Sequence, residues 1–403
     1  MLACLSPNGM NRYDGASAPD RLLVATSSGV TTLARESSGA WRKAGTALAG
    51  LHATTLTTLP GRPGIFVGTH GDGVLFSKDG ARWEERNSGL AIKDVYTVAS
   101  VAEAGGITLY AGTQPAALFK SRDLGQSWSE LPALRQVPGT EYWTFPEPPR
   151  IAHTKMMVFD PRTPQRIYAA IEQGALLKTE DGGQSWRELA DYSKPDDGAY
   201  HDVHQVMLLP SRPDTVFMTT GVGLYRSSDG GDHWERLTGE EFRIAYPDHM
   251  MLSPDEKILF MSGAKFHPGF WMDTHVADTT IVRSRDHGRS WDTEPKGFAV
   301  ALRANIEALT MACWPGGYEL FVGDTEGTVH MSEDGGDSWT RIADEVGCVT
   351  KGNHAAALRG EIRPRAAAAA AHAILGPPGW PRATPDDCTR GRRHRRADLR
   401  LGD

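Results

Sequence analysis

One pattern recurs along most of this chain: Ser or Thr, any residue, Asp, any residue, Gly, any two residues, Trp. It reads SRDLGQSW at 121–128, TEDGGQSW at 179–186, SSDGGDHW at 227–234, SRDHGRSW at 284–291 and SEDGGDSW at 332–339. SKDGARW at 77–83 is one residue shorter, and ARESSGAW at 34–41 is a degraded copy that keeps its Trp. The tryptophans fall at 41, 83, 128, 186, 234, 291 and 339, so the interval is 42–58 residues. Self-similarity at that period marks a repeat architecture, in which many small sheets share one body.

Each copy has the same neighbours. An apolar strand ending in a small-residue turn lies upstream, as in IFVGT (65–69), LYAGT (109–113), IYAAI (167–171) and LFVGD (320–324). A second strand follows, such as ALFKS (117–121) or GLYRS (223–227), and then the motif. Asp accepts hydrogen bonds from nearby backbone N–H groups, and Gly takes φ > 0 where a tight turn needs it. The Trp offers a large apolar face for packing between sheets. The motif is therefore a hairpin turn with a packing anchor, a structural rather than a catalytic element.

These residues resemble the Asp-box (BNR) repeat of sialidase-like, glycosyl-hydrolase-like β-propellers, over roughly residues 21 to 358. The resemblance implies a fold and leaves function open, because such propellers include glycosidases, lyases, assembly factors and receptors. It does not extend to a true sialidase. That family resembles a six-bladed ring with an Arg-Ile-Pro motif, whereas Arg150-Ile151 is followed here by Ala152.

Counting strands gives an all-β, seven-bladed propeller of four-stranded antiparallel blades over residues 21–359. Six innermost strands follow the motifs, at 52–59, 95–101, 153–159, 204–209, 249–253 and 305–311. RLLVAT (21–26) begins at a second strand, so the first blade lacks its innermost one. NHAAALR (353–359) has the right character and spacing to fill that slot. The ring is then expected to close with N- and C-terminal strands in one blade, which removes exposed sheet edges. Residues 1–20 read as an N-terminal extension. Residues 360–403, with an alanine run, GPPGWPRATP and RGRRHRR, read as a disordered Ala/Pro/Arg-rich tail.

Net charge and cysteines narrow the class. A formal charge of −7 gives no basic field for nucleic acid. Four cysteines in 403 residues do not make a disulfide scaffold, so reduced thiols are expected. MLACLSPNGMNRYDG shows no signal peptide, and no stretch is long enough to span a bilayer. The expectation is a cytoplasmic monomer without a membrane or nucleic-acid partner.

Meander topology puts the motif turns on one face and the starts of the inner strands on the other. His52, His153, His204, His249 and His354 sit at or near those starts, in blades two, four, five, six and one. Nothing in strand chemistry demands histidine there. Imidazoles from separate strands can converge on one divalent transition metal, zinc, copper, iron or manganese. Glu172, Asp202, Asp248, Glu307 and Asp324 lie where they can orient such rings. Lys155, Tyr200 and Glu307 are the candidate catalytic side chains. Long loops at 132–152, 190–203 and 262–280 gather on the same face.

The leading expectation is a metal-dependent enzyme, a lyase, hydrolase or oxidase. It would act on a small or carbohydrate-like substrate at a histidine-lined channel mouth. One alternative is a metal-free glycoside hydrolase. The other is a non-catalytic ligand-binding or assembly propeller.

Overall fold

The computed structural model describes residues 1–103, 105–144, 151–189, 201–239, 241–274, 276–298, 303–352 and 354. Seven sheets form the propeller ring. Blades two to five are four-stranded meanders; blade four runs His153–Asp160, Thr163–Glu172, Ala175–Thr179 and Arg187–Glu188 from the channel outward. Blade six has three strands, Tyr246–Leu252, Leu259–Ala264 and Thr280–Ser284, with its one helix, Pro268–Thr274, inserted before the third.

The recurring motif makes the turn that follows the strand ending at its Ser or Thr in each complete copy. In blade five Asp229 Oδ1 accepts from the N–H groups of Asp232 and His233 at 3.1 and 2.9 Å. Ser227 Oγ accepts from Gly231 N at 2.9 Å. Gly231 has φ of 95°, and a Cβ there would stand 2.6 Å from Leu189 Cδ1, so both the turn and the neighbouring blade require glycine. The tryptophans pack across blade boundaries. Trp128 shares a core cluster with Phe66 of blade two, and Trp339 shares one with Phe260 of blade six. Each buried indole thus joins consecutive sheets through apolar contact.

Ring closure differs from the sequence expectation. The slot inside Arg21–Thr26 is filled by Leu2–Leu5, running parallel to it. Of the segment 353–359, only His354 belongs to the described residues. A second short strand, Arg12–Asp14, pairs in parallel with the inner strand Ile306–Trp314 and makes blade seven five-stranded. The residues read as an extension therefore enter two adjacent blades. Ala3, Cys4 and Leu5 are fully buried and Tyr13 nearly so. Between the two strands the chain crosses the channel. Asn8 bridges to Thr55 of blade two, and Asn11 Nδ2 donates to Met250 O of blade six. The apolar run LACL, buried on both faces, explains why this segment is held. The tail at 360–403 lies outside the described residues. Among the described residues, Cys4 and Cys313 are buried free thiols, and no helix is long and apolar enough to cross a membrane.

Candidate functional site

Six inner strands carry the same irregularity near their starts. The antiparallel register skips one residue in each: Thr54, Tyr96, Lys155, His204, Asp248 and Glu307. A bulge of this kind bends the strand and re-aims a side chain. All six side chains are buried, and Lys155, His204, Asp248 and Glu307 meet in one polar cluster. The histidines named from the sequence do not share this position. His204 alone occupies it; His52 and His153 lie two residues before it, and His249 one residue after. The bulge, invisible in the sequence, changes which residues are equivalent.

Glu172 closes the second strand of blade four and is fully buried. Its Oε1 accepts from Lys351 Nζ at 2.6 Å and Lys155 Nζ at 3.3 Å. Its Oε2 lies 2.6 Å from His153 Nε2. Burial alone would raise the Glu172 carboxyl, but Lys155, Lys351 and His153 outweigh it and hold it well below the carboxylate range. Lys351 is buried too; the carboxylates of Glu172, Asp248 and Glu307 overcome that and keep it firmly charged. Lys155 goes the other way, because burial dominates and lowers it. His153, stacked on Tyr96 with ring centroids 3.8 Å apart, is lowered chiefly by burial.

Beside this lies a second group. His204 Nδ1 is 2.7 Å from the carbonyl oxygen of Pro247. A carbonyl only accepts, so Nδ1 carries the proton and, in a neutral ring, Nε2 carries the lone pair. That Nε2 stands 3.2 Å from Asp202 Oδ2 and 4.0 Å from Glu172 Oε1, without hydrogen-bond geometry to either. Asp202 accepts from Tyr246 Oη at 3.2 Å, while its Oδ1 is buried with no donor among the described residues. Ligand atoms of Glu172, Asp202 and His204 all lie within 4.8 Å of one another. Among the described residues this is the one group with the spacing of a metal site.

The other named residues have separate partners. Glu307 accepts from Thr350 Oγ1, Lys351 N, His354 Nδ1 and Asn305 Nδ2, and His354 and Lys351 help hold it at about 2 against burial. His354 packs edge-on against Trp271. His249 donates to the carbonyl of Pro7 in the channel-crossing segment, and burial pushes it down to about 4. His52 Nε2 donates to Thr350 O. Asp324 turns to the backbone N–H groups of Glu326 and Thr328. Tyr200 lies outside the described residues. Lys351 escaped the sequence reading: it belongs to no strand or motif, and only the path of the chain after blade seven brings it to Glu172.

Four buried carboxylates (Glu172, Asp202, Asp248 and Glu307) face two buried ammoniums (Lys155 and Lys351). With neutral imidazoles this described group carries a formal charge of about −2, and isolated buried charge is costly.

No family model matches the chain. Among curated proteins it is 25% identical over 260 residues to the photosystem II assembly lipoprotein Ycf48 of Synechococcus sp. (strain CC9902), covering 64% of this chain and 66% of the relative. It is 22% identical over 220 residues to a xyloglucanase of Paenibacillus sp, covering 46% of this chain but 20% of the relative. Among solved structures it superposes on an ancestral GH74 enzyme with a TM-score of 0.57 at 17% identity, covering 72% of this chain and 38% of that one. The GH74 xyloglucanase from Xanthomonas campestris gives 0.52 at 14%, with 72% and 45% covered. The chain spans less than half the length of these xyloglucanases and GH74 enzymes. The structural likenesses show the propeller fold.

Proposed function

We propose that this chain is a metal-dependent, glycoside-hydrolase-like enzyme with its centre at the channel mouth. Glu172, Asp202 and His204 are the cation's ligands. The observation that carries this reading is the His204 ring. Its Nδ1–H is fixed on the Pro247 carbonyl, and its Nε2 lone pair faces two carboxylates. A lone pair aimed at two anions is repulsive unless a proton or a metal ion lies between them, and the spacing of the three groups supports the metal ion. Ligand separations of 3.2 and 4.0 Å suit an ion bound at about 2.0–2.2 Å from each. One divalent ion also neutralises the excess charge of the cluster.

Three protein ligands leave a coordination position open, the arrangement found in catalytic rather than structural sites. A cation there would supply positive charge to a substrate oxygen. The protein's own groups have distinct duties. The Pro247 carbonyl sets the His204 tautomer, as outer partners of metal-bound histidines do. Lys351 and His153 hold Glu172 in place. Lys155, whose burial eases loss of its proton, is the group placed to move one. A carbohydrate-like substrate is supported by the similarity to xyloglucanases.

The test uses protein purified without a histidine tag, stripped with chelator and reloaded with zinc, manganese, copper or iron. Turnover is measured on aryl glycosides and plant-type β-glucans. Activity restored by reloading and lost in Lys155→Ala supports the reading. Equal activity in stripped protein, or none with the ion bound, overturns it. A second reading, a non-catalytic assembly propeller, is favoured by the balanced coverage of the Ycf48 relative. It gains ground if the reloaded protein turns over nothing yet retains a protein partner.

A further inference from the structure

After its last strand the chain turns back over the channel mouth and meets most of the blades around it. Val346 N donates to Gly327 O and Val349 N to Asp324 O, both of blade seven, and Ser27 N of blade one donates to Cys348 O. His52 Nε2, at the start of blade two, donates to Thr350 O. A Cβ on Gly352 would stand 3.0 Å from His70 Nδ1 and 3.1 Å from the Tyr96 hydroxyl, so the backbone passes close against blades two and three. Lys351 Nζ reaches Glu172 of blade four and Asp248 of blade six, and His354 returns to Glu307 of blade seven. We infer that this segment is a lid on the channel mouth, with Lys351 as its latch. The inference rests on the reading that the buried cluster binds a ligand.

That cluster needs an entry. Glu172, Asp202 and His204 are buried, so a ligand reaches them only if part of the mouth moves. The inner strands are laddered into their blades, and the channel-crossing segment is pinned between two paired strands. Residues 344–352 join no sheet. Their apolar anchorage ends at Val349, which with Val346 belongs to a hydrophobic core cluster. From Thr350 on, the chain is held by hydrogen bonds, ion pairs and the edge of Trp271. Segments with no ladder bonds and little apolar contact open locally while the rest stays folded. The hinge therefore falls between Val349 and Thr350.

Latch and site share one atom. Lys351 Nζ lies 2.6 Å from Glu172 Oε1, and that oxygen is the one 4.0 Å from His204 Nε2. Opening withdraws an ammonium from Oε1 while Lys155 and His153 still hold Glu172. One movement thus uncovers the cluster and frees an oxygen for an incoming group. Lys351 leaves a buried ion pair as it goes, and that cost keeps the closed form dominant.

Hydrogen–deuterium exchange of the full chain in chelator, read by peptide mass spectrometry, tests this. Peptides covering 346–352 should exchange at least tenfold faster than those covering the inner strands His153–Asp160 and Val203–Leu209, which are also buried. Lys351→Met, close in volume, should speed the lid a further tenfold or more and leave those strands unchanged. Thr350→Val removes the hydroxyl that Glu307 accepts and should speed the lid severalfold, which keeps the test open if Lys351→Met does not fold. A lid that exchanges as slowly as the inner strands overturns the inference, as does a rate that neither substitution changes. The metal reading can fail while the lid stands, because the measurement needs neither a bound ion nor turnover.

Discussion

Replacing Glu172 with Gln tests how the cluster is held. The substitution preserves volume, so it opens no cavity, and it removes one negative charge from a fully buried position. Lys351 and Lys155, each 3% exposed, then face a neutral amide in place of the carboxylate they approach at 2.6 and 3.3 Å. Breaking a buried ion pair by removing one partner costs about 3–5 kcal/mol, because the surviving charge stays buried. Two ammoniums share Glu172, but Lys351 keeps Asp248 within 3.9 Å, so the expected loss is about 3 kcal/mol rather than twice that. Denaturant unfolding measures it as a lower midpoint at unchanged slope. Adding Lys155→Met to Glu172→Gln should restore part of the loss, with a coupling of about 1–3 kcal/mol. A change of less than about 0.5 kcal/mol for Glu172→Gln, typical of an unremarkable surface site, would mean that Glu172 does not hold the two buried ammoniums.

Three further outcomes follow from the fold. Leu5→Ala removes a fully buried side chain from the strand that fills blade one and should cost about 2–5 kcal/mol; a neutral result on thermal melting would deny that strand its role. Hydrogen bonds from the Ser185 hydroxyl and N–H and from Thr179 hold Asp181 down to about 2. Its folded value lies below the roughly 3.9 of an unfolded Asp, so its stabilisation is complete above about pH 4 and lost as pH falls toward 2. Asp229 and Asp286 are lowered too, so melting temperature should fall steeply across that window, and Asp181→Asn should flatten part of the fall. Burial, the main cause in each case, pushes Cys4 up to about 12 and Cys313 up to about 11. Iodoacetamide at pH 8 should therefore label neither until denaturant is added, as peptide mass spectrometry would show; labelling of the native chain contradicts this burial.

The repeat was legible because its chemistry is local. Asp accepts from the turn it makes, Gly takes the left-handed conformation, and Trp seeks an apolar neighbour within one blade interval. Counting those turns places seven sheets. Closure was not legible, since Leu2–Leu5 and Arg12–Asp14 are four and three residues long and pair with partners distant in sequence. Strands that short carry no periodicity to read. At the mouth, the sequence located the right strand ends but not the right side chains. A bulge in each of four inner strands puts Lys155, His204, Asp248 and Glu307 at equivalent positions, while His153 turns to Glu172 and His249 to Pro7. Alternation counted along a regular strand cannot anticipate a skipped residue. Glu172 and Asp202 were named only as neighbours that orient the rings, because their meeting depends on the contact between blades four and five.

The chemistry of the channel mouth is decided by whether an ion binds between His204 and the two carboxylates. Elemental analysis of untagged protein, after reconstitution and removal of free metal, measures this directly. The expected result is about one divalent ion per chain, lost in His204→Ala and in Asp202→Asn but kept in Trp314→Ala. No stoichiometric ion after exposure to zinc, manganese, copper and iron, or full occupancy in His204→Ala, would contradict it.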